Sequence, residues 1–168
     1  FLRRVRGLAA REGPSSSRRL DEAPTVERRE VDDLETWLAR LRRGAGRAPV
    51  TRHPALERAA AAHARAVCEA GWAVHRLPGG SGPAARARAA GFEGRITESV
   101  ALASARADAR RNLEASPAHL AGLLAPWATS AGWAEARAGR RRCLVILLGA
   151  RAGAESTGAR SPSRSSQG

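Results

Sequence analysis

The sequence predicts an α+β fold in which helices precede a small, mainly antiparallel sheet. Three observations carry that prediction. Short apolar patterns at helical spacing are punctuated by prolines at Pro54, Pro83 and Pro117, each suited to the first position of a helix. Two segments near the end, Thr129 to Arg137 and Arg141 to Leu148, read as a hairpin around a turn at Ala138-Gly139. The run Cys143-Leu144-Val145-Ile146-Leu147-Leu148 is apolar at every position instead of alternate ones. A strand of that kind is covered on both faces and belongs at the centre of its sheet.

The elements follow in order. Val31, Leu34, Trp37, Leu38 and Leu41 recur at helical spacing, with Asp32 and Asp33 near the start and Gly44 as the stop. A second helix runs from Pro54 to Gly71 with an inward stripe of Leu56, Ala60, His63 and Val67. His53, directly before Pro54, is its entry residue. A third, short helix has Ser81 or Gly82 as cap, Pro83 inside its start and Gly91 after its end. Ile96 to Leu102 is extended. A fourth helix covers Ala105 to Ala115, and Ser116-Pro117 restarts a fifth through Leu120, Leu123 and Leu124. Residues 1–30, with Gly13-Pro14-Ser15-Ser16-Ser17 and paired arginines, are expected to be disordered or linker sequence. Residues 151–168 are expected to be a disordered Ser/Gly/Arg-rich tail, which leaves 31–150 as the folded domain.

Composition sets outer limits. The 168 residues suit one domain that buries about 70% of its unfolded surface. No apolar run reaches the roughly 18–20 residues a transmembrane helix needs. FLRRVRGLAA lacks the uninterrupted apolar core of a signal peptide, and Phe1 is expected to follow an upstream segment. The two cysteines exclude a disulfide-dense scaffold and a multi-cysteine zinc site. A net charge of +13 suggests a polyanion as partner. Yet all 29 cations are arginine, lysine is absent, and alanine occurs 38 times. That pattern is the mark of codons rich in G and C, as in a high-GC bacterium, with arginine as the default surface cation. Two Phe and four Trp are too few for a base-stacking platform, so nucleic acid is not the expected partner.

The polar residues fall in a telling order. Ala60-Ala61-Ala62-His63-Ala64 lies in the long helix, His75 follows it, and Gly91-Phe92 follows the third helix. Then come Thr97-Glu98-Ser99-Val100-Ala101, Ser116-Pro117-Ala118-His119, and a last apolar strand ending in Gly149. This order resembles the CAP superfamily: cysteine-rich secretory proteins, antigen 5 and pathogenesis-related proteins, with their short bacterial relatives. The bacterial branch carries a His after the first long helix, a Gly-Glu-Asn-Ile-Ala segment and a Ser-Pro-Gly-His-Arg segment, matched here by His75, Thr97 to Ala101 and Ser116 to Leu120. The resemblance covers about residues 33–150. Departures cluster around the expected site: Thr97 and Ser99 flank the glutamate, Leu120 follows the second histidine, Leu113 replaces a Trp, and Val74 precedes His75.

The resemblance implies a three-layer α-β-α sandwich with His75, Glu98 and His119 lining a central cleft near Ser116. On their own chemistry, two imidazoles and a carboxylate can hold zinc with an open fourth position. They can equally satisfy buried donors and fix loops. A helix capped by Ser116 would put His119 in its first turn, where the helix dipole disfavours imidazolium. Ser116 itself, directly before a proline, reads as an N-cap instead of a nucleophile. His63, on the apolar stripe, reads as a hydrogen-bonded core histidine. No HExxH is present, so a zincin-type peptidase has no support. Cys68 and Cys143 are either two buried thiols or, as the largely secreted family implies, a disulfide formed in an oxidising compartment.

The expected function is that of a secreted or envelope-associated, monomeric binding protein without catalysis, taking a lipid, a metal ion such as zinc at His75 and His119, or a protein partner. A divergent metal-assisted hydrolase using His75, Glu98 and His119 is the first alternative. An arginine-driven polyanion binder is the second.

Overall fold

The structure is a computed structural model that describes residues 24–153, with side chains from residue 33 onward. It divides into two units, Phe1–Glu35 and Thr36–Gly168. Of the first, the described part is the start of helix α1, which spans Pro24–Gly44. The helix begins at Pro24, so the predicted linker 1–30 is helical over its last seven residues. The rest of that linker and the predicted tail beyond residue 153 lie outside the described residues.

In the second unit, β1 (Thr51–Arg52), α2 (Pro54–Ala70), α3 (Pro83–Ala89) and β2 (Gly94–Ala103) come first. They are followed by α4 (Arg106–Ala115), α5 (Pro117–Leu123), β3 (Ser130–Ala138) and β4 (Arg141–Arg151). The strands form one sheet in the order β1-β3-β4-β2. β4 pairs antiparallel with both β3 and β2, and the two-residue β1 pairs parallel with β3. The sheet is therefore mainly antiparallel, as expected, and the all-apolar β4 is central. Every residue from Cys143 to Ala150 is buried. The hairpin turn lies at Gly139-Arg140, one residue later than predicted, because Ala138 pairs with Arg141.

Alternation along β4 explains the layers. Cys143, Val145 and Leu147 join Leu56, Ala60, Ala64 and Val67 of α2 in one core, to which α3 adds Ala87. Leu144, Ile146 and Leu148 project to the opposite face, where α4 and α5 pack on β2. The result is a helix–sheet–helix sandwich.

Two features tighten it. Gly132 of β3 sits so close to α2 that a Cβ there would lie 2.3 Å from the Leu56 carbonyl carbon and the Glu57 nitrogen. Arg42, on the inward side of α1, is fully buried. Its Nε donates to the Ala48 carbonyl at 3.0 Å, and its Nη1 donates to those of Leu123 (2.8 Å) and Ala125 (3.2 Å). Burial, with Arg47 adding repulsion, lowers its pKa from the usual arginine value. The guanidinium satisfies carbonyls left over where α5 ends, the kind of orphan group every helix terminus carries. The apolar-stripe reading of α1 stops at Leu41 and gives no hint of it.

Cys68 and Cys143 are joined by a disulfide with Cα atoms 5.4 Å apart, which ties the last turn of α2 to the start of β4. The implied pairing is therefore present. No helix among the described residues is long and apolar enough to cross a membrane.

Candidate functional site

β2 is an edge strand, and its middle holds Glu98, opposite Leu147 of β4. An even position on β2 faces the α2 layer with Val100, Ile96 and Leu102. A carboxylate on that face needs polar partners, because a buried charge without them is costly. It has them. The Glu98 side chain is 1% exposed, Oε1 accepts from His75 Nδ1 at 3.0 Å, and Oε2 accepts from Arg86 Nη2 at 2.6 Å.

The loop carrying His75 is fixed from both ends. His63, inside α2, makes a 2.8 Å hydrogen bond to the Val74 carbonyl, with Nε2 as donor. That bond fixes the tautomer, since a carbonyl can only accept. His63 Nε2 also lies 3.8 Å from Glu98 Oε1. Burial holds the His63 ring below the ordinary histidine value, outweighing the opposite pull of the Val74 carbonyl and of Glu98. Arg86, on α3, donates through Nη1 to the His75 carbonyl at 3.0 Å and to the Ser81 carbonyl. One guanidinium thus binds the loop at both ends and the strand beneath it. Its Nε is buried and has no partner among the described residues.

His75 gives Nδ1 to Glu98 and keeps 52% of its side chain exposed, so Nε2 is its remaining nitrogen for a ligand. His119, in the first turn of α5, has its ring centroid 6.0 Å from that of His75. Its pKa is lowered by burial first and by His75 second. The structure therefore brings His75 to Glu98 and His119 to His75, with no hydrogen bond or ion pair between His119 and Glu98. Among the described residues, no group of three or more His, Cys, Asp or Glu side chains is arranged to hold a metal. Ser116 stands at the N-cap of α5, but its side chain makes no capping hydrogen bond and none to His119.

Residues 38–147 match the CAP family, described as the cysteine-rich secretory protein family. The chain belongs to that family. Solved structures agree on the fold of this CAP domain. An outer surface protein from Borrelia burgdorferi superposes with a TM-score of 0.67 at 20% identity, covering 74% of this chain and 94% of that one. An extracellular protein containing an SCP domain from Bacillus anthracis does so with a TM-score of 0.58 at 15% identity, covering 69% of this chain and 39% of its own. This chain thus spans well under half of the Bacillus protein. No curated protein matches the sequence.

Two other histidines of the CAP domain behave as the sequence suggested. His63 is a hydrogen-bonded core residue, and His53 caps α2 by accepting from the Ala55 nitrogen at 3.2 Å. Arg86 is the residue sequence reasoning missed. It sits in Ala84-Ala85-Arg86-Ala87-Arg88, and nothing local separates it from the exposed Arg88 two positions on. None of the predicted site residues lines the groove of about 380 Å³ formed by Arg88, Gly91, Glu93, Arg151 and Ala152.

Proposed function

We propose that this CAP domain is a non-catalytic binding module of the cell exterior or envelope, and that its binding atoms are the imidazoles of His75 and His119. The observation that carries the reading is the state of Glu98. At 1% exposure, with both oxygens engaged by His75 and Arg86, it serves as an internal anchor and not as a base or a ligand. The imidazole pair beyond it remains available. Two imidazoles on one zinc, at about 2.0–2.1 Å per bond, bring their ring centroids to about 5–6 Å apart, close to the separation present here. That spacing is compatible with a divalent ion such as zinc held by the two imidazoles, with solvent completing its coordination. The depressed pKa of His119 favours the neutral ring that metal binding requires. The bond from His75 to Glu98 is the carboxylate–histidine arrangement that orients a ligating ring.

An exterior location draws support from three sides: the family, the disulfide that needs an oxidising compartment, and the surface and extracellular proteins of like fold. A metal-assisted hydrolase would need a free general base beside the metal, and Glu98 is committed elsewhere.

Calorimetric zinc titration of the full chain tests the reading. A single site is expected, weakened at least tenfold, about 1.4 kcal/mol, in His75→Ala and in His119→Ala. Binding that survives both substitutions, or no site-specific binding, would remove the metal reading. Metal-dependent turnover lost in both variants would reinstate the hydrolase.

A further inference from the structure

At the far end of α2 the chain carries a feature unconnected with the imidazole pair. Trp72, 56% exposed, is the large hydrophobic side chain left open to solvent among the described residues. It follows Gly71, the left-handed C-cap of α2. Arg141, the first residue of β4, lies across that cap, so closely that any Cβ on Gly71 would strike its Nη1. Arg140 stands in the turn of the same hairpin, whereas Arg137, paired across it with Arg142, lies on the other face of the sheet. Arg140 and Arg141 are exposed and have no ion-pair partner among the described residues, whereas Arg142, on the other face, pairs with Glu135 at 3.7 Å. The Cys68–Cys143 disulfide joins the two segments that carry the indole and these arginines.

We propose that Trp72 and the tip of the β3–β4 hairpin form a peripheral docking face for an anionic phospholipid bilayer. The surface selects that partner by its chemistry. An indole is at home at the headgroup level of a membrane, where its ring is shielded and its N–H stays wet. Arginines beside it are drawn to the negative potential of acidic lipids. A nucleic acid would find phosphate contacts here but one indole instead of a stacking platform. The disulfide ties the segment that carries Trp72 to the strand that carries Arg141, so little backbone order has to be imposed on contact.

Cosedimentation of the full, oxidised chain with mixed phosphatidylserine–phosphatidylcholine vesicles tests the proposal, with phosphatidylcholine vesicles and heparin in parallel. Binding to the acidic vesicles at low salt is expected, weakening as salt rises, with none to the neutral ones. Tryptophan emission should shift to the blue on binding, and Trp72→Ala should abolish that shift. Each arginine removed should weaken binding about fivefold. Arg140→Glu makes this test in an exposed turn, away from the Arg141–Gly71 contact, so loss of fold is not the cause of its effect. His75→Ala should bind vesicles like the unaltered chain, which separates this face from the imidazole pair. Equal binding to neutral vesicles, unchanged binding in Trp72→Ala and Arg140→Glu, or capture by heparin without capture by vesicles would each overturn the proposal.

Discussion

Glu98 decides what the candidate site is. A carboxylate at 1% exposure is stable there because His75 and Arg86 take one oxygen each, and the same two bonds hold the loop and α3 against β2. Breaking a buried pair by removing one partner leaves the other charge uncompensated. Glu98→Ala should therefore cost about 3 kcal/mol in urea unfolding. A loss below about 1 kcal/mol would show that the network is decoration. His63 and His119 add a pH signature. Both rings titrate below the ordinary histidine value of 6.5, burial being the main cause in each. As pH falls below that value, the unfolded chain takes up protons that the folded chain still refuses. Their contribution to stability is thus complete above about pH 6.5 and is lost as pH falls through the lower folded values. The urea midpoint should drop between about pH 7.5 and about pH 5.5, and His63→Gln should flatten part of that drop. A flat midpoint in the unaltered chain would contradict both assignments.

Elements are legible in the sequence where a local rule dictates them. Pro54, Pro83 and Pro117 open α2, α3 and α5, and Gly71 closes α2, because proline at the first turn and a left-handed C-cap are short-range requirements. The unbroken apolar run of β4 marks it as the central strand. β1 is not legible, since Thr51–Arg52 is two exposed residues whose pairing depends wholly on β3. The turn at Gly139-Arg140 falls one residue beyond the predicted place because register across the hairpin sets it. The early start of α1, at Pro24, has no apolar periodicity to announce it. Close packing of α2 on β3 gives a test at this scale. Gly132→Ala would force a methyl group into the backbone of α2 at Leu56 and Glu57. A cost of about 1–3 kcal/mol is expected by thermal or urea unfolding, with a larger effect if the helix cannot shift. A neutral substitution would mean that α2 rides on the sheet more loosely than its contacts imply.

Across the whole molecule, the disulfide is the covalent tie between the α2 layer and the sheet. It spans 75 residues of sequence, so chain-entropy reasoning assigns it about 4 kcal/mol. Cys68→Ala/Cys143→Ala should lower stability by that order, and a change under about 1 kcal/mol would show that packing alone holds the layers in register. The sequence by itself determined the class of fold, the order of its helices and hairpin, the central strand and the identity of the histidines, because those follow from spacing and from short-range backbone rules. Tertiary structure alone decided which arginines matter. Arg42 is buried beneath α5, Arg86 locks Glu98 to the His75 loop, and Arg140 stands in water at a hairpin tip. The three are chemically identical, and in a chain with 29 arginines their neighbours in sequence look alike. Only partners distant in sequence separate them, such as the Leu123 carbonyl 81 residues from Arg42, and long-range contact leaves no trace in a local pattern.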